Sequence, residues 1–141
     1  MKILKAMMMG MVLLLICGAS QAKSLMSPNN SKDQVIDTYL NAVVHGKLAG
    51  IDDAIDNDAH FDMKRGNSVN TLTKSQIMSA LKANENIEQD CQCTKTIVRD
   101  DEEMKVMKVD MKYNDFTRTD LITAEPVGDG WKITKVETSY K

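Results

Sequence analysis

Residues 104–140 read MKVMKVDMKYNDFTRTDLITAEPVGDGWKITKVETSY, and this stretch decides the fold. Three runs, Met104–Tyr113, Phe116–Glu125 and Trp131–Tyr140, alternate apolar and polar side chains as half-buried strands do. Asn114-Asp115 fits a two-residue hairpin turn, and Pro126–Gly130 fits a longer one. A further strand is expected upstream over Ile87–Arg99, joined through the acidic turn Asp100–Glu103. Within Met104–Tyr113 the apolar phase slips by one residue between Val106 and Met107, which predicts a β-bulge in that strand.

The helical signals lie before this meander. Ser31 followed by Gln34 forms a capping-box pattern. Val35, Ile36, Tyr39, Leu40, Val43 and Val44 then recur at helical spacing, and Gly46 is a C-terminal stop. A short second helix is expected over Leu48–Ile55. Ala59–Arg65 reads as a strand with Phe61 and Met63 on one face and His60, Asp62 and Lys64 on the other. Gly66–Asn70 reads as a turn region. Thr73 with Gln76 opens a third helix that buries Ile77, Met78 and Leu81. Helices first and strands after argue for an α+β domain whose sheet curls around about three N-terminal helices.

The first 22 residues have the pattern of an export signal: Lys2 and Lys5, an apolar run over Met7–Ile16, then Ser20-Gln21-Ala22 before Lys23. The run is too short to span a bilayer. The bulky Ile16 before Cys17 argues against a lipidated cysteine. The expected organisation is therefore a cleaved leader at 1–22, a flexible lead at 23–30 and one domain at 31–141. Export to the periplasm or beyond the cell follows. With Lys2 and Lys5 removed from 18 basic residues, the 20 acidic ones leave a net charge of −4. No basic stretch suggests a nucleic-acid partner, and no second apolar run suggests an integral membrane segment.

Cys91 and Cys93 lie one residue apart on a predicted strand, so they point the same way. They form either a strained disulfide or two small side chains facing the core. Asp52, Asp53, Asp56, Asp58, His60 and Asp62 form the densest acidic cluster. A calcium loop starting at Asp56 needs Gly at its sixth place and a carboxylate at its twelfth, where Phe61 and Asn67 stand. No metal or cofactor is expected.

Val35–Leu40, the Thr73-Lys74-Ser75-Gln76-Ile77 helix start, Phe116–Leu121 and Gly130-Trp131-Lys132-Ile133 together resemble the nuclear transport factor 2-like superfamily. The likeness is closer to its secreted bacterial branch of lumazine-binding type. It implies a cone-shaped fold, a strongly bent sheet around the long first helix, with a cavity at the open end. It also implies a small apolar or aromatic ligand, and a homodimer formed through the open sheet face.

Five side chains are candidates for contacting a ligand: Tyr39, His60, Asp62, Tyr113 and Trp131. Tyr39 and Tyr113 lie in phase with apolar neighbours and carry a hydroxyl to the rim. His60 and Asp62 share a strand face, and Trp131 can stack on a flat ligand. No acidic pair falls on an apolar face: Asp110 is out of phase, and Arg118–Asp120 reads as a surface pair. The leading expectation is a small-molecule-binding module without catalysis. The rivals are a proton-transfer isomerase or hydro-lyase using His60, Asp62 or Tyr39, and a dimeric protein-interaction domain.

Overall fold

The structure, a computed structural model, describes residues 30–141; the leader expected at 1–22 lies outside the described residues. Helix α1 (Lys32–His45) begins where Ser31 Oγ accepts from Gln34 N–H while Gln34 Oε1 accepts from Ser31 N–H. It ends at Gly46 in the left-handed region, φ 66°. Its inner stripe is Val35, Ile36, Tyr39, Leu40, Ala42 and Val44. Helix α2 is only Ile51–Ala54, shorter than expected. Left-handed Gly50, φ 77°, delays its start, and Ile55 already turns into the sheet.

Strand β1 (Ile55–Arg65) starts four residues earlier than its apolar alternation suggested. Its register against β6 shifts between Ile55 and His60, and Ile55, Ala59 and Phe61, all of one parity, reach the core. The expected turn region after it contains a strand, β2 (Ser68–Leu72), closed by the two-residue turn Gly66-Asn67. Every β2 residue before Leu72 is exposed, so no apolar alternation marks it. Helix α3 (Lys74–Ala83) has the Thr73/Gln76 capping box and buries Ile77 and Leu81.

The meander follows as β3 (Gln92–Asp100), β4 (Lys105–Lys112), β5 (Thr117–Val127) and β6 (Gly130–Tyr140). The strand order is β2-β1-β6-β5-β4-β3, antiparallel except where β1 lies parallel to β6. α1 packs across β5 and β6, and α3 packs on β1. This is the expected helices-then-curved-sheet α+β cone. Among the described residues no helix is long and apolar enough to cross a membrane.

Three local expectations change. β3 starts at Gln92 rather than Ile87, because the preceding segment bonds to the end of α1: Asn86 N–H donates to Gly46 O at 2.9 Å and Gln89 N–H to Val44 O at 2.8 Å. Cys91 therefore precedes the strand, and the two thiols are free with their Sγ atoms 3.9 Å apart. The bulge predicted on β4 sits opposite it. Val98 is the extra residue on β3, between the pairs Ile97–Met107 and Arg99–Val106. β4 itself keeps strict alternation, because Lys105 points inward along with Val109 and Met111. The Lys105 ammonium is buried against Asp33 of α1, with Asp100 at 3.6 Å.

Gly46 tests the close approach of α1 to the α3–β3 connection. A Cβ there would stand 2.6 Å from Asn86 N and 2.7 Å from Asn84 O, at a φ that strains any L-residue. Gly66 has a similar φ of 58° but open space around it. In urea unfolding, Gly46→Ala is expected to cost about 3 kcal/mol, strain plus overpacking, and Gly66→Ala about 1 kcal/mol. Equal losses would contradict the packing described.

Candidate functional site

A cavity of about 270 Å³ opens between α1, α3 and the inner face of the sheet. Its apolar walls are Val43 from α1, Met63 from β1, and Ile77 and Leu81 from α3. Its polar end is Tyr39 and Arg118, with Asn84 and Gln89 at the connection after α3. Periodicity puts Tyr39 there, and parity puts Arg118 there. Tyr39 belongs to the buried stripe of α1, and Arg118 shares the inward phase of β5 with Asp120, Ile122 and Ala124.

Behind this end lies Asp120, with no exposure to solvent. Both of its oxygens are fully engaged. Oδ1 accepts from Arg118 Nε at 2.9 Å and Thr138 Oγ1 at 2.8 Å. Oδ2 accepts from Arg118 Nη2 at 3.0 Å and Tyr39 Oη at 3.2 Å. Four donors fill the acceptor positions of a carboxylate. The Tyr39 phenol is pushed well above its ordinary pKa of 10.0, chiefly by burial and then by the Asp120 charge. It remains protonated and donating. Burial works against the charge of Arg118, but the Asp120 carboxylate outweighs it and the pKa of Arg118 is raised. The expected surface pair Arg118–Asp120 is thus a buried one. The shared face of Asp120 and Ile122 was the signal for it, and the polarity of the side chains masked that signal.

Of the five candidate ligand side chains, only Tyr39 lines this cavity. His60 is exposed, and Asp62 is half-buried on the same outer face, accepting from Thr71 Oγ1 at 2.7 Å. Phe61 is buried and Met63 reaches the cavity, as the alternation of β1 requires. Tyr113 stacks on Phe116, ring centroids 4.5 Å apart, and its hydroxyl donates to Gln89 Oε1 at 3.0 Å, so it touches the site only through Gln89. Burial, with Cys91 close by, pushes its pKa up to about 12. Trp131 sits elsewhere, in a second and larger pocket of about 450 Å³ lined by the β5–β6 turn with Thr38, Gly50 and Asp53, and the Lys32 ammonium is 5.3 Å from its ring centre. Sequence reasoning did not single out Val43, Asn84 or Gln89 as site residues. The segment Asn84–Cys91 carries no periodic signal. Among the described residues, no three His, Cys, Asp or Glu side chains converge as metal ligands would.

A family model described as "Putative lumazine-binding" matches residues 29–140. The chain belongs to this family. No curated protein matches it. Solved structures share the fold. An NTF-2 like protein of unknown function from Silicibacter pomeroyi is similar with a TM-score of 0.59 at 13% identity, over 76% of this chain and 88% of that one. An NTF2-like protein of unknown function from Methylobacillus flagellatus gives 0.58 at 17%, over 77% and 88%. A "putative ketosteroid isomerase" from Parabacteroides distasonis gives 0.56 at 12%, over 77% and 86%. At these identities the likeness concerns the nuclear transport factor 2-like fold alone.

The buried network makes a pH prediction. The folded-state pKa of Tyr39 lies above its unfolded value near 10, so its contribution to stability is complete below pH 10 and is lost as pH rises further. Tyr39→Phe is expected to cost about 2 kcal/mol at neutral pH, a hydrogen bond to a charged acceptor. It is also expected to flatten the loss of stability above pH 10. Parallel pH–stability curves for the two proteins would refute this role.

Proposed function

We propose that this domain binds a small molecule in the cavity between α1, α3 and the sheet, and that it does so without catalysing a reaction. One observation carries the reading: an apolar-walled cavity ends in a pre-organised Arg118–Asp120–Tyr39 cluster, the pattern of a few fixed polar groups in an apolar pocket. The family's description points to a small heterocycle, which suits the cavity's size. A proton-transfer enzyme needs a carboxylate or imidazole free to take a proton from its substrate. Asp120 already accepts four hydrogen bonds, and His60 and Asp62 lie on the opposite sheet face.

Ligand binding is testable by thermal shift against a panel of mono- and bicyclic heterocycles, lumazine included. At a hundredfold excess over Kd a true ligand adds about 2.7 kcal/mol to stability. Val43→Trp, at the half-buried cavity wall, is expected to abolish the shift while leaving the circular dichroism spectrum unchanged. Retention of the shift would place the ligand elsewhere. Export is part of the same proposal, supported by the sequence pattern of residues 1–22; N-terminal sequencing of the protein recovered outside the cytoplasm should begin at Lys23.

Self-association is a second reading. All of β3 is exposed at the sheet edge, including Ile97 and Val98 at 57% each. Edge strands bearing apolar side chains invite pairing. Sedimentation velocity should then show a dimer that Ile97→Lys dissociates, and a monomer at all concentrations would dispose of the idea.

A further inference from the structure

We propose that the polar end of the cavity is an anion site, and that its ligand is a ring-sized organic carboxylate held by the second edge of the Arg118 guanidinium. This rests on the preceding proposal that the cavity binds a small molecule, and it specifies the chemistry of the head group.

A guanidinium carries five N–H groups in a rigid plane. Nε and Nη2 face Asp120, at 2.9 and 3.0 Å, which uses one complete edge of the fork. The other edge is Nη1 and the second hydrogen of Nη2; beyond the two bonds to Asp120 no hydrogen bond of good geometry joins the guanidinium to a described residue, although the Tyr39 hydroxyl lies close to it. Arg118 lines the cavity with its side chain 18% exposed, and among the described residues no side-chain nitrogen or oxygen is both buried and unpartnered. The free edge is therefore accessible. Two parallel N–H groups match the two coplanar oxygens of a carboxylate.

The surroundings favour the same charge. Arg118 is the only charged side chain among the described residues lining the cavity. The carboxylate that balances it, Asp120, is fully buried and fixed to the opposite edge of the guanidinium. A cation entering the cavity thus meets the guanidinium first and finds no exposed carboxylate. Gln89 adds a second polar group, with its carbonyl oxygen already engaged by the Tyr113 hydroxyl and its amide nitrogen left to donate. Opposite these donors, Val43, Met63, Ile77 and Leu81 offer apolar contact to a ring. Asp120 orients Arg118, and Tyr39 and Thr138 orient Asp120, so the donors are set before a ligand arrives.

Three probes of one shape separate the outcomes: benzoate, benzamide and benzylamine, titrated into the folded protein and followed by amide chemical shifts in nuclear magnetic resonance. Benzoate is expected to shift the amides of Arg118, Asn84 and Gln89 and to bind about tenfold more tightly than benzamide, with benzylamine weakest. Arg118→Lys retains the positive charge but has no second edge, and should reduce the preference for benzoate over benzamide to about twofold or less. Benzamide or benzylamine binding as well as benzoate would overturn the anion site while leaving a binding cavity. The same holds if the preference persists in a folded Arg118→Lys protein. If none of the three shifts a cavity residue, the cavity reading falls as well.

Discussion

The buried carboxylate of Asp120 is the constraint around which the domain is arranged. Removing such a charge from water costs several kcal/mol, which only a full set of donors offsets. Those donors come from three elements: Tyr39 on α1, Arg118 on Asp120's own strand, and Thr138 on β6. Each must sit within hydrogen-bond reach, so the rotation of α1 and the β5–β6 register are coupled at one point. Replacing a buried ion pair by hydrophobic residues of similar volume is often neutral or stabilising. What the polar cluster supplies is position, because hydrogen bonds are directional and apolar contacts are not.

A second charged clasp acts at the other end of α1. Lys105 points inward from β4 and is paired with Asp33 in the helix's first turn, with Asp100 beside it. Lys32 in the same turn reaches Asp100 and donates to Asp101 O at 3.2 Å. The helix is thus tied to the β3–β4 hairpin near its start and to β5 one to two turns later at Tyr39. The backbone bonds from Asn86 and Gln89 to the carbonyls of Gly46 and Val44 secure its C-terminus. A helix held along its length lies across the sheet as a fixed strut. The space between it, α3 and β1 remains open because the half-buried Val43 and Met63 do not fill it.

Local signals were legible in the sequence and long-range ones were not. Ser31 with Gln34 and Thr73 with Gln76 marked both helix starts, since a capping box needs only neighbours in the chain. Phe61 and Met63 were correctly turned inward, because β1 alternates cleanly after its irregular first half. Strand β2 left no trace, being exposed along almost all its length. Lys105 and Asp120 misled for one reason. Parity places both on the inner face while polarity argues for the outer, and the partners that reconcile the two include ones 72 and 81 residues away. Polar residues in phase with buried apolar ones are therefore better read as half of a buried pair whose other half remains to be found.

The same network bears on the choice between binding and catalysis. A carboxylate fixed by four donors has no lone pair left in a useful direction, and its protonation would leave a buried guanidinium unpaired. A phenol held by that carboxylate and raised in pKa by burial is a poor proton donor to anything in the cavity. The interactions that position the cluster thus engage both the carboxylate and the phenol. The free edge of Arg118 remains, a donor that is always charged and exchanges no proton at neutral pH. Such a group can recognise and hold a ligand, and it cannot shuttle protons. On the binding reading proposed above, the chemistry that stabilises this core is also the chemistry that sets Arg118 to meet a ligand.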